Sequence, residues 1–127
     1  MGEITVVLPL PPAALKPNAR PHYMVKAKAT KGYRNGAYLF ATMEYSAMRK
    51  RPPKWKSARV SIRWYTKTKR RPDADNALAS LKAAFDGLTD AGVWADDRNT
   101  SFDPIVFAVD KASPRVELTI TERSGQE

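Results

Sequence analysis

The stretch SARVSIRWYTK, residues 57–67, and the longer RPDADNALASLKAAFDGLTDAG, residues 71–92, decide the fold between them. In the first, Ala58, Val60, Ile62 and Trp64 alternate with Arg59, Arg63 and Lys67. That period of two marks a strand with one buried face and one basic face. In the second, Leu78, Leu81, Phe85 and Leu88 recur at steps of three, four and three, which predicts an amphipathic helix from about Asn76 to Asp90. Gly92 is placed to end it in a left-handed conformation.

Working outward, residues 4–9 (ITVVLP) read as a strand closed by prolines, and residues 37–50 place Leu39, Phe40, Met43 and Ala47 at helical spacing before Pro52 and Pro53 stop the pattern. Residues 105–109 and 115–121 read as two further strands joined by a turn at Lys111 to Pro114. The predicted order is β-α-β-α-β-β, an α+β fold with a mixed four-stranded sheet and two helices, formed by residues 1–127 as one domain. Residues 15–34, rich in Lys and Arg with His22, Tyr23 and Tyr33 among them, read as a basic arm.

The composition excludes whole classes of chemistry. With no cysteine and one histidine, disulfides, thiolate metal sites and two-histidine sites within a chain are ruled out, so any metal must be held by oxygen. No apolar run approaches the roughly 18 residues of a membrane span, and the amino terminus lacks the pattern of a signal peptide, which leads to the expectation of a cytoplasmic protein without membrane contact. The net charge of +9 is unevenly spread: residues 1–71 carry +15 and residues 72–127 carry −6. A basic half of this size suits a polyanion such as nucleic acid, with Lys16, Arg20, Lys26, Lys28, Arg70 and Arg71 the expected phosphate contacts.

The acidic residues concentrate at the two ends of the second helix, Asp73 and Asp75 before it and Asp96 and Asp97 after it. Asp75 suits a helix cap. A cap does not account for Asp73, and an extended Asp-x-Asp turns both carboxylates to one side, where they can hold a hard cation such as magnesium together with water and phosphate oxygens. A helix of that length spans roughly 22 Å, so aspartates at both ends share a metal only if the following loop folds back. Lys82, seven residues after Asp75, returns to nearly the same helix face and leans toward the amino terminus, where it can meet a bound phosphate; pairing with Asp86 or Asp75 accounts for it equally well. His22 lacks an orienting carboxylate and reads as a surface residue, and Trp94 reads as a core anchor for the loop carrying Asp96 and Asp97.

Residues 70–76 (RRPDADN) with residues 81–97 (LKAAFDGLTDAGVWADD) closely resemble the RusA family of Holliday-junction resolvases, and the likeness extends to residues 115–122 and more loosely to residues 4–12. The resemblance implies a homodimeric DNA endonuclease of recombination and repair that nicks four-way junctions in symmetrical pairs. It further implies dependence on magnesium, with manganese able to substitute, and no small-molecule cofactor. It maps three essential aspartates onto Asp73, Asp75 and Asp97, all three as metal ligands, and an essential lysine onto Lys82, with Asp96 and Asp86 as the next acidic candidates. In some members the lysine follows the Asp-Asn pair by one turn; here three more residues intervene, and both spacings fall on one helix face. Pro72 stands where a basic residue is expected before the first aspartate. Two other readings share the sequence: a basic architectural DNA-binding protein whose aspartates are caps, and a nuclease of the Pro-Asp…(Asp/Glu)-x-Lys kind, which lacks its later acidic-x-lysine strand here.

Overall fold

A computed structural model describes residues 2–17 and 19–123, with Asp97 described in its backbone only. It is an α+β fold on a mixed sheet, as the sequence predicts. Strand β1 (Glu3–Leu8) pairs antiparallel with β5 (Arg115–Glu122), which pairs antiparallel with β2 (Ala58–Thr66). The far edge is split. Strands β3 (Thr100–Phe102) and β4 (Val106–Val109) lie parallel to successive parts of β2, so the expected four-stranded sheet has five strands. The interruption falls at Asp103 and Pro104; the Asp103 carboxylate accepts from Arg59 at 2.8 Å and from Ser61 at 3.0 Å, which neutralises part of the basic stripe on β2.

Alternation decides which face is covered. Ile4, Val6 and Leu8 of β1, Ala58, Val60, Ile62 and Trp64 of β2, and Val116, Leu118 and Ile120 of β5 are buried in one core with the helices. Their neighbours on the other face are polar or charged for the most part, and Thr5 and Thr119 meet there across β1 and β5.

The first helix, α1, runs from Tyr23 to Ala47, well beyond the predicted start at residue 37. The basic arm is therefore mostly helix. His22 caps it, its Nδ1 accepting from the Met24 amide at 3.2 Å, so this histidine is an exposed cap. The buried side of α1 is Tyr33, Ala37, Ala41 and Tyr45 at steps of four; Leu39, Phe40 and Met43, which carry the sequence pattern, are exposed. The core side was hidden because two of its four residues are alanines, whose burial leaves little trace in a hydropathy pattern. The Tyr33 hydroxyl donates to the Pro9 carbonyl at 2.7 Å, tying α1 to the end of β1.

The second predicted helix is two. Helix α2 (Ala74–Ser80) and helix α3 (Lys82–Ala91) meet at Leu81, whose backbone (φ −91°, ψ −1°) departs from regular helix while its side chain stays fully buried. Helix α3 packs along α1 at close range. A Cβ on Gly87 would overlap the Arg34 carbonyl oxygen and stand 3.0 Å from the Ala37 Cβ. At the same interface Arg34 donates to Asp90 at 2.7 and 2.9 Å, holding that carboxyl below its ordinary range. Gly92 ends α3 at φ 82°, the left-handed position the sequence predicts.

Candidate functional site

The region of interest grows from the amino end of α2. Asp73 precedes the helix in extended conformation (φ −63°, ψ 149°) and gives its carbonyl to the Ala77 amide at 2.9 Å, but its carboxylate caps nothing. Asp75 lies within the first helical turn, not before it. The extended Asp-x-Asp expected from the sequence is thus only half extended, and the two carboxylates line separate grooves. Asp73 faces a groove of about 300 Å³ with Lys16, Trp64, Arg71, Asn76 and Ser80. Asp75 faces one of about 490 Å³ with Leu78, Ala79, Lys82, Phe85 and Phe102.

What sets these two aspartates apart is the absence of partners. Among the described residues, Asp86 accepts from Lys82, Asp90 from Arg34, Asp96 from Arg98, Asp103 from Arg59 and Asp110 from Arg115, at 2.6 to 3.0 Å. Asp73 and Asp75 alone among the aspartate side chains described have no hydrogen bond or ion pair, although Arg70 and Arg71 stand close in sequence. Both are exposed. Two carboxylates left open to solvent beside a basic segment suit a hard cation or a polyanion held through one. Among the described residues no three acidic or histidine side chains come together as a metal cage.

Lys82 opens α3 and lines the same groove as Asp75, as its helical spacing predicts. Its ammonium reaches one turn onward to Asp86 at 3.0 Å, the surface pairing that its spacing also predicts. The segment after α3 does turn back. Trp94 is buried, its indole N–H donates to Thr89 at 2.6 Å, and the Ala95 amide bonds to the Trp55 carbonyl at 2.9 Å. The 3-10 turn Asp97–Asn99 then packs against α3. Trp94 is thus the expected anchor of the acidic loop. Asp96 accepts from the Arg98 amide at 2.9 Å and from its guanidinium at 2.8 Å, closing that loop. Asp97 begins the 3-10 turn, and its side chain lies outside the described residues.

Of the expected phosphate contacts, Lys16, Arg70 and Arg71 share a second groove of about 500 Å³ with Lys67, adjoining that of Asp73 through Lys16, Trp64, Arg71 and Pro72. Arg71 lies with its guanidinium carbon 4.2 Å from the Phe107 ring centroid, which holds it beside the groove. Lys26 and Lys28 belong to α1 instead, and Arg20 is exposed just before it. Lys67 is visible in the sequence only as an outward strand position. Phe102, which lines the groove of Asp75 and meets Phe85 at 4.7 Å, carries no local signal, because its strand is only three residues long.

The mixed sheet carries two unpaired carboxylates at the start of a short helix beside a basic groove, and the family model for endodeoxyribonuclease RusA matches residues 9–121. The chain belongs to that family. It is 32% identical over 117 residues to an uncharacterised protein of Xylella fastidiosa, covering 92% of this chain and 75% of that one. It is 38% identical over 68 residues to the crossover junction endodeoxyribonuclease RusA of Escherichia coli K12, and 37% identical over 68 residues to that of Enterobacteria phage 82. Each of these two matches covers 54% of this chain and 54% of the relative, so the chain spans about half the length of the named resolvases it matches.

Proposed function

We propose that the protein is a metal-dependent endodeoxyribonuclease that cleaves four-way DNA junctions, working as a homodimer. The observation that carries this reading is the pair of unpaired carboxylates, Asp73 and Asp75, in a chain whose other described aspartates are each engaged by a cation. Leaving two charges unpaired at a helix start beside a groove lined by Lys16, Lys67, Arg70 and Arg71 has little structural value, and it suits a cation that bridges carboxylate to phosphate.

The donor set fits magnesium: hard oxygen ligands, few of them, with room for water and phosphate. Asp73 and Asp75 would hold it, with Asp97 as the third ligand, and when bound it supplies an activated water and charge neutralisation at the phosphate. The chain's own residues do the rest. The groove of Lys16, Lys67, Arg70 and Arg71 holds the backbone of the strand to be cut and orients it past Asp73. Lys82, at the head of α3 and in the groove of Asp75, gives up Asp86 and donates to a non-bridging phosphate oxygen as negative charge builds there. Arg98 holds Asp96 and closes the loop that carries both acidic residues.

Incubation of labelled synthetic four-way junctions with the protein, with and without magnesium, tests the reading. Nicking only with the metal is expected, and Asp75→Asn is expected to abolish nicking while junction binding stays intact or strengthens. Binding without nicking under any divalent metal would favour the architectural alternative, and equal cleavage by Asp75→Asn would displace the site.

A further inference from the structure

The side of α1 turned away from its buried residues carries Val25, Ala29, Gly32, Gly36, Leu39 and Met43, at steps of four, three, four, three and four. That is the seven-residue repeat by which one helix seats against another. Val25, Leu39 and Met43 are 54, 55 and 63% exposed, which is unusual for three bulky apolar groups on one line. Between them a Cβ on Gly32 or Gly36 would meet nothing within 4 Å, so the backbone is bare and open to close approach. The glycines also weaken the helix by about 1 kcal/mol each relative to alanine, a cost that open solvent does not offset. A groove of about 630 Å³ runs beside this line between α1 and the end of β1.

We propose that this face is the contact between two copies of the chain, with the α1 helices crossing antiparallel between Gly32 and Gly36. The register is self-complementary. Val25 falls opposite Met43 of the second copy, Ala29 opposite Leu39, and Gly32 opposite Gly36, so that each large residue meets a smaller or slimmer one and the glycines meet at the crossing. Charge selects the direction. Lys26, Lys28, Lys31 and Arg34 lie in the first half of α1, and its one acidic residue, Glu44, lies in the second. A parallel pair would stack like charges and align the helix dipoles. The antiparallel pair brings Glu44 to the level of the basic first half of the second copy, on the same flank as its Lys26, and opposes the dipoles. The inference deepens the homodimer of the proposed nuclease by naming its surface, and it can be tested without DNA or metal.

Sedimentation of the full chain gives the monomer–dimer equilibrium. The parent is expected to dimerise, and the double variant Leu39→Glu, Met43→Glu to weaken the dimer by at least about 100-fold with an unchanged circular dichroism spectrum, since both side chains are exposed and glutamate is a good helix former. Because the chain has no cysteine, a short bis-maleimide reports the direction. Ala29→Cys combined with Leu39→Cys is expected to cross-link two chains. Leu39→Cys alone is expected not to, as the two Leu39 positions would sit about 15 Å apart along the helix axis. A parent that stays monomeric, a double variant that dimerises as the parent does, or efficient cross-linking through Leu39→Cys alone would each overturn the proposal. The last would indicate a parallel pair, and the second a contact elsewhere, such as the exposed Val106 and Val109 of β4. If the face serves DNA instead, the parent is monomeric and the double variant loses junction binding, which also overturns it. Loss of nuclease activity has no bearing on any of these outcomes, so the two proposals fail separately.

Discussion

Gly87→Ala puts the packing of α1 on α3 to a test whose sign differs from what helix propensity predicts. Propensity alone favours alanine by about 1 kcal/mol in a helix interior. Here the new methyl would overlap the Arg34 carbonyl oxygen and lie 3.0 Å from the Ala37 Cβ and 3.1 Å from the Arg34 carbonyl carbon. Ordinary carbon contacts need about 3.5 to 4.0 Å, so the helices must part by about 1 Å or bend. The atom in the way belongs to backbone and cannot swing aside, and parting the helices loosens Ala37, Ala83 and Ala84, all buried, and stretches the Arg34–Asp90 pair. Overpacking of this kind costs about 1 to 3 kcal/mol, and a backbone clash belongs at the upper end. Net of propensity, a loss of about 2 kcal/mol is expected. Urea denaturation measures it as a lower midpoint at unchanged slope. Asn35→Ala, an exposed position in α1, is the control and should gain a few tenths of a kcal/mol. A Gly87→Ala protein as stable as the parent, or more so, would refute the close-packed interface.

Three further outcomes are expected. Lys82→Ala should slow cleavage at saturating junction DNA by about 100-fold with little change in binding, whereas a lysine serving only Asp86 would leave the rate untouched; Ala79→Lys in that background, in the same groove and one turn from Asp75, should restore part of the rate. Tyr45→Phe should stabilise the protein by about 1 kcal/mol in thermal or urea unfolding, because the hydroxyl is buried with no hydrogen-bond partner among the described residues and burial pushes its pKa up to about 12; destabilisation would mean that the hydroxyl is satisfied after all. Asp90→Asn should cost stability near neutral pH and nothing in strong acid. The carboxyl is lowered on folding by Arg34, so its contribution is full above its unfolded value of about 3.9 and is lost as pH falls through the lower folded value. A stability difference between variant and parent that stayed constant across that range would contradict the assignment.

The strands of the core and the segment from residue 78 to 88 were legible because their large apolar residues alternate or recur at regular steps, as Val60, Ile62 and Trp64 do on β2 and as Leu81 does with Phe85 and Leu88 of α3. The basic arm misled for the opposite reason. Its lysines are the solvent side of a helix whose core side is tyrosine and alanine, so no row of large aliphatic residues marks that side in the sequence. The site divides in the same way. The residue types of Asp73, Asp75 and Lys82 and the helical return of Lys82 to the groove of Asp75 could be read from spacing. The departure of Asp75 from an extended pair could not, because it turns on where helix α2 begins, a boundary set by tertiary packing. Nor could the pairing of Asp90 with Arg34 or of Asp103 with Arg59, which joins side chains distant in the chain.

The break at Leu81 separates two kinds of stability within what the sequence presents as one helix. Helix α3 buries Ala83, Ala84, Phe85, Gly87, Leu88 and Ala91, while α2 buries only Ala77 and Ser80 over seven residues. Seven residues close few backbone rings, and such a segment opens to solvent at far smaller free energy than the packed element that follows it. The amides of α2 should therefore exchange with deuterated water well ahead of those of α3, with Leu81 as the border between the two cooperative units. The carboxylates of Asp73 and Asp75 ride on the more labile unit, so their separation can adjust as a ligand arrives at a smaller cost than a rearrangement of α3 would carry.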